Sequence, residues 1–181
     1  EPFQLKSRIF ITDSKVSIVN QNSEGEQGKW LTAENLNLVV PELKVEGSDI
    51  FAQVNNIRFT TERWGKKHYV DTFSTELALT KEFLVLNDLT INTNHSLLQG
   101  DMKFHLNNGS WADFADKVKW EMKMQQGSQI SGYDISYFVT NWDNYKPINI
   151  SGDMNGPLND FYLDNFLVRN PQVNIRDRKS V

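Results

Sequence analysis

Val118-Lys119-Trp120-Glu121-Met122-Lys123-Met124 decides the fold class of this chain. Its apolar residues fall at every second position, and a charged residue fills each site between them. An extended strand sends successive side chains to opposite faces, so this run makes one apolar face and one wet face. The same spacing recurs on both sides of it. Val16 with Ile18, the series Leu36, Leu38 and Val40, and the series Ile50, Ala52 and Val54 all alternate. So do Leu77 with Leu79, Leu84 with Leu86, Met102 with Phe104 and Leu106, Ile148 with Ile150, Phe161 with Leu163, and Val173 with Ile175. Turn residues divide these short runs at Gly65, Asn107-Asn108-Gly109, Gly127-Ser128 and Gly156-Pro157. The chain reads as all-β, one segment spanning residues 1–181.

Two stretches break the period. Trp111, Phe114, Ala115 and Val118 stand at helical spacing, predicting about two turns over Ser110–Val118. Ser131-Gly132-Tyr133-Asp134 has the spacing of a capping box and predicts a short helix through Phe138. The polar stretch Asn20–Lys29 reads as the loop of a hairpin joining Val16–Val19 to Trp30–Ala33.

A phrase then repeats without a fixed period: apolar, two polar residues, apolar, any residue, apolar. Val54-Asn55-Asn56-Ile57-Arg58-Phe59, Leu86-Asn87-Asp88-Leu89-Thr90-Ile91 and Leu163-Asp164-Asn165-Phe166-Leu167-Val168 carry it. Ala33–Leu38 and Val40–Val45 are weaker copies. A flat strand would send the apolar residues flanking the polar pair to opposite faces. A two-residue hairpin or a β-bulge would keep them on one face. Asn-Gly never fills the polar pair, which favours the bulge. A second phrase, Leu98-Gln99-Gly100-Asp101-Met102 against Ile150-Ser151-Gly152-Asp153-Met154, puts Gly inside a strand, the mark of a bend or a close backbone approach.

Composition excludes several classes of function. With 19 Lys+Arg against 23 Asp+Glu the net charge is −4, leaving no electrostatic footprint for nucleic acid. The absence of Cys removes disulfides, thiolate metal sites and cysteine catalysis. No apolar run approaches the roughly 18 residues of a membrane span. Glu1 is not an initiator methionine, and the first residues lack the pattern of a signal peptide. A piece of a longer, repeat-like protein is the expectation.

Catalytic motifs are also missing. His68, His95 and His105 stand apart without metal-ligand spacing, and no nucleophile elbow, P-loop or dinucleotide fingerprint occurs. Asp113, Asp116 and Glu121 could supply a carboxylate pair, but they read better as a solvated face. The three sequons at Asn94, Asn108 and Asn149 are of the kind an Asn-rich chain makes by chance. The expectation is therefore no enzyme, no cofactor and no metal.

One-sided strands without covering helices need a partner surface. Two sheets could close face to face as a sandwich. Alternatively, one sheet could fold along its bends into an open trough, apolar inside, that holds acyl chains. The bend signature favours the trough.

The order of Leu86–Ile91, Leu98–Phe104 and Gly152–Leu158 resembles the degenerate repeats of the TamB/AsmA-like family. The stretches from Phe73 through Phe104 and from Ser131 through Phe138 look most like TamB-type translocation and assembly module proteins of Bacteroidota, and the likeness runs from Leu36 to Val168. The resemblance implies a β-taco groove crossing the periplasm, anchored at the inner membrane by a segment outside these residues. It implies conduction of phospholipid between the inner and outer membranes, support for outer-membrane protein assembly, and a TamA-like barrel met through a region not present here.

On this reading the groove is lined by Ala52, Val54, Ile57, Phe59, Leu84, Leu86, Leu89 and Ile91 from one half of the chain. Met102, Phe104, Val118, Trp120, Met122, Ile150, Met154, Leu163 and Phe166 line it from the other. Its partners are phospholipid acyl chains and neighbouring repeats of the same chain. The alternative is a compact β-sandwich for adhesion or glycan binding, using Trp64 at an exposed hairpin tip and Trp142.

Overall fold

The computed structural model describes residues 3–19, 29–106, 117–137, 146–157, 160, 162–169 and 174–176. In chain order the strands are β1 (Gln4–Val19), β2 (Lys29–Glu46), β3 (Asp49–Val54), β4 (Asn56–Arg63), β5 (Lys66–Leu79) and β6 (Phe83–Thr93). There follow β7 (Leu97–His105), β8 (Lys119–Met124), β9 (Gln129–Ser131), the helix α1 (Gly132–Ile135), β10 (Pro147–Gly156), β11 (Tyr162–Arg169) and β12 (Asn174–Arg176). All twelve strands belong to one antiparallel sheet, ordered β1-β2-β3-β5-β6-β7-β8-β10-β11-β12, with β4 between β2 and β5 and β9 between β7 and β10. The all-β expectation holds. The second sheet that a sandwich requires is absent among the described residues.

Several strands are longer than the alternation suggests: β1 has 16 residues, β2 has 18 and β5 has 14. The reason is that polar pairs bend these strands instead of ending them. In β6, Leu86 pairs with Met102 and Leu89 with Gly100, so Asn87-Asp88 oppose Asp101 alone. Asp88 takes the left-handed conformation with φ 49°, which Asp tolerates better than most residues. The bulge frees backbone groups that must find partners. Thr75 Oγ1 donates to the Asn87 carbonyl at 2.7 Å, and the Asp88 N–H donates to Asp101 Oδ1 at 2.9 Å. Asn35 (φ 51°) and Asn165 (φ 51°) occupy the same place in the copies beginning at Ala33 and Leu163, each at a register shift.

The copy Val54-Asn55-Asn56-Ile57 does not bulge. Strands β3 and β4 keep one register along β2, with Glu42 opposite Gln53 and Val39 opposite Asn56, and the ladder merely opens at Asn55. Its neighbour explains this. Pro41 lies across the opening and has no N–H to give, while the Asn55 N–H reaches the Val39 carbonyl at 3.0 Å.

The helix expected after Ser131 forms but is brief, ending at Ile135, and Phe138 lies outside the described residues. So do residues 110–116 of the other expected helix and the loop 20–28, although β1 and β2 do pair as a hairpin. The tip of the β4–β5 hairpin is Trp64-Gly65, both with positive φ (54° and 71°), a type I′ signature.

Candidate functional site

Directly opposed residues in an antiparallel pair share a face, so the register assigns each side chain to the inside or outside. One row runs Leu43–Ala52–Leu77–Leu86–Met102–Met122–Met154–Leu163, crossing eight strands without a polar residue. A second runs Leu5–Val45–Ile50–Leu79–Leu84–Phe104–Trp120 and ends at Gly156. The opposite face is wet. Glu42–Gln53–Glu76–Asn87 form one row there and Asp101–Lys123–Asp153–Asp164 another.

The apolar rows are packed at their middle. Leu86, Leu89, Phe104, Leu106 and Val118 are buried together, with Phe73, Leu77, Leu79, Leu84, Ile91, Met102 and Trp120 against them. Phe104 and Trp120 meet edge to face at 4.9 Å. Leu86 and Leu89 share this cluster, so the Asn87-Asp88 bulge keeps both on the concave side. Away from the middle the rows are only half covered: Ala52, Met122, Met154 and Leu163 all keep partial exposure.

The sheet curls strongly. From β2 to β9 the path crosses β4, β5, β6 and β7, which in a flat sheet would separate them by about 24 Å at the usual strand spacing. Yet Leu31 of β2 and Ile130 of β9 line one cavity of about 240 Å³, together with Phe59, Val70, Ile91 and Leu98. The sheet therefore folds over toward its apolar face.

Of the other expected lining residues, Val54 is buried opposite a buried Thr75, and Ile57 is half-buried opposite Leu38. Ile150 pairs with Val168, two residues along from the Ile148–Ile130 pair. The side chain of Phe166 lies outside the described residues. The list from sequence missed Leu77, Leu79, Phe73, Leu98 and Ile130, although Leu77 and Leu79 already stood in a quoted alternation and Leu98 in the repeated glycine phrase.

Polar chemistry gathers at α1. Ser131 caps the helix, its Oγ accepting from the Tyr133 N–H at 3.2 Å. Asp134, the acidic member of the expected capping box, turns away from the cap. It accepts from Thr93 Oγ1 and Ser96 Oγ, both at 2.5 Å, and lies 3.4 Å from His68 Nδ1. Ser96 Oγ in turn accepts from the Ser131 N–H at 2.9 Å. Contrary to the expectation of isolated histidines, His68 and His95 both lie against the Tyr133 ring, at 5.0 and 4.4 Å.

His105 sits elsewhere, with Nε2 2.8 Å from Glu121 Oε1. Partial burial pushes the Glu121 carboxyl up, but the hydrogen bonds and charges of His105 and Lys119 outweigh that and hold it below the usual carboxylate range. Glu121 is thus an ion-paired outer residue. Asp113 and Asp116 lie outside the described residues.

Trp64 is half-buried, not an exposed contact residue: the Arg63 guanidinium lies 5.2 Å from its ring and 5.2 Å from that of Tyr137. Trp142 lies outside the described residues. Among the described residues no group of His, Asp and Glu converges in a way that could hold a metal ion, and no helix is long and apolar enough to cross a membrane. No family model, curated protein or solved structure matches the chain.

Proposed function

We propose that this chain is a non-enzymatic segment of a lipid conduit, in which acyl chains lie along the trough while their head groups stay in water. The observation that carries the reading is the Leu43–Leu163 row: eight strands place an apolar residue at one level of a single sheet, and no second sheet covers it among the described residues. Burial is worth about 0.8 kcal/mol per methylene. A tail half covered along about sixteen carbons would gain roughly 6 kcal/mol, enough for occupancy and shallow enough to slide. Methionines at three adjacent places in the row, Met102, Met122 and Met154, suit chains of varied shape, because the thioether side chain is unbranched and adaptable.

The resemblance to TamB/AsmA-like repeats extends this reading to a protein anchored at the inner membrane. It would cross the periplasm, pass phospholipid toward the outer membrane and assist outer-membrane protein assembly with a TamA-like barrel. Neighbouring repeats would continue the trough at its edges. The terminal strand β1 fits that role, since Leu5, Val16 and Ile18 prolong the inward-facing positions of β2 and remain exposed.

The test is a photoreactive amino acid at Met122, irradiated with phospholipid vesicles, against the same residue on the wet face at Lys123. Lipid adducts at 122 and not at 123 are expected. Equal labelling at both sites, or none at 122, would reject the conduit.

A further inference from the structure

We infer that the trough has a blind end beneath α1, a pocket for the terminus of one saturated hydrocarbon chain; this rests on the conduit reading. The pocket is the cavity of about 240 Å³ whose wall carbons come from Leu31, Phe59, Val70, Ile91, Leu98 and Ile130. Six polar residues also border it, and they would ordinarily make it wet. All but one of their side-chain polar atoms have partners, the exception being His68 Nε2, which is buried without a hydrogen-bond partner among the described residues. Asp134 takes the hydroxyls of Thr93 and Ser96 and faces His68 Nδ1, while Thr61 Oγ1 meets the Tyr137 hydroxyl at 3.4 Å. Apart from that one imidazole nitrogen, what these residues leave for the cavity is carbon.

α1 is fastened as a cap. The Tyr133 hydroxyl donates to the Lys67 carbonyl at 2.9 Å, and the Tyr137 ring stands edge-on to His68 at 5.2 Å. His68 itself is only 6% exposed. The cap thus joins β5, the β6–β7 turn and β9 across the open side of the curled sheet.

Size and chemistry define the occupant. An apolar cavity of about 150 Å³ stays dry and accepts a benzene-sized guest, and pockets that hold whole drug-sized ligands run to roughly 300–1,000 Å³. This one lies between those sizes and, with a single unpartnered imidazole nitrogen at His68, lacks the several polar groups that a phosphate or carboxylate head group needs. Ile91 belongs both to this cavity and to the packed cluster of the apolar rows, so the pocket adjoins those rows. A chain lying along the rows would end here, methyl first.

The experiment uses two saturated fatty acids, one with a diazirine at the terminal carbon and one with it beside the carboxylate, with adducts mapped by peptide mass spectrometry. The terminal probe is expected to label the segments around Phe59–Val70 and Leu98. The carboxylate-side probe should label the Met102 and Met122 rows. Filling the pocket with Val70→Phe, and independently from another wall with Ile130→Phe, should cut terminal labelling of the pocket about tenfold. Row labelling should persist in both, with folding checked by near-ultraviolet circular dichroism. Two fillings are used so that a variant that fails to fold leaves the other to decide. Terminal labelling confined to the rows, or undiminished in a folded filled variant, overturns the pocket and leaves the conduit standing. No labelling by either probe anywhere overturns both.

Discussion

Gly100 and Gly152 pair with the same residue, Met124, from its two sides. Beyond Gly100 lies Leu89 at the end of the Asn87-Asp88 bulge, and beyond Gly152 lies the bulge at Asn165. The bends of β6, β7, β8, β10 and β11 therefore fall at one level and crease the sheet together. At each bulge two residues oppose one, so ladder bonds are lost between β6 and β7 and between β10 and β11. With the bends in line, that loss is confined to one level of the sheet, where it turns its apolar rows inward.

The crease makes Gly100 sensitive. A Cβ there would stand 2.0 Å from the Lys123 carbonyl oxygen, a backbone atom with nowhere to go. Gly100→Ala is expected to cost about 2–4 kcal/mol in urea unfolding, combining overpacking with strain. Gly65→Ala is the control, since no atom lies within 4 Å of its Cβ position and only the φ of +71° opposes it; about 1 kcal/mol is expected. Equal costs for the two would mean that close approach at the crease is not what Gly100 provides.

At the Asn87-Asp88 bulge two side chains replace lost ladder bonds. Thr75→Val keeps the shape and removes the donor to the Asn87 carbonyl. With Thr75 only 3% exposed, the loss should reach about 1–3 kcal/mol, the cost of an unsatisfied buried acceptor. Asp88→Gly should be nearly neutral because φ is +49° there, whereas Asp88→Val should cost about 1–3 kcal/mol. Chemical denaturation of the three variants checks this, and a benign Asp88→Val would show that the left-handed bulge is dispensable.

Much of this was legible in the alternation itself, because a period of two needs only local residues. The bulges at Asn35, Asp88 and Asn165 were legible too, since Asx is the residue type that accepts the left-handed conformation without a glycine. The failure at Val54-Asn55-Asn56-Ile57 is instructive. The same phrase opens the ladder there without a bulge, because Pro41 on the neighbouring strand withholds a donor, and neighbours are set by sheet order. Asp134 makes the same point. Its capping-box spacing located the helix, but its carboxylate goes to Thr93, Ser96 and His68, which only the curl of the sheet brings near.

Acid should weaken the outer face at Glu121. Its carboxyl pKa is lowered on folding, so the unfolded chain binds its proton first as pH falls. The stabilisation is present above the unfolded pKa, near 4.3, and is lost as pH drops through the lower folded value. The pair is exposed, with His105 at 33% and Glu121 at 39%, so screening limits the effect to under about 1 kcal/mol. Glu121→Gln should remove that part of the acid dependence below about pH 5 and leave stability at pH 2 near that of the parent chain. An unchanged pH profile of urea midpoints would show that the ion pair contributes nothing.

The trough and a closed core differ most sharply in their response to an inserted charge. Leu89 is 1% exposed, so Leu89→Arg buries an unpaired guanidinium and should unfold the chain, a loss of several kcal/mol. Met122 lies in the apolar row but keeps partial exposure and is not part of the packed cluster. An Arg there can extend along the trough to water, so Met122→Arg should stay folded with a loss of about 1 kcal/mol. Leu84→Arg and Met102→Arg, half-buried but packed against the cluster, should fall between these two. In the folded variants a cation now stands in the acyl path, and phospholipid crosslinking at a photoreactive residue placed at Met154, the next member of the row, should drop. If Met122→Arg unfolds as Leu89→Arg does, the rows form an ordinary core. If it folds and Met154 still captures lipid undiminished, acyl chains do not travel along this row.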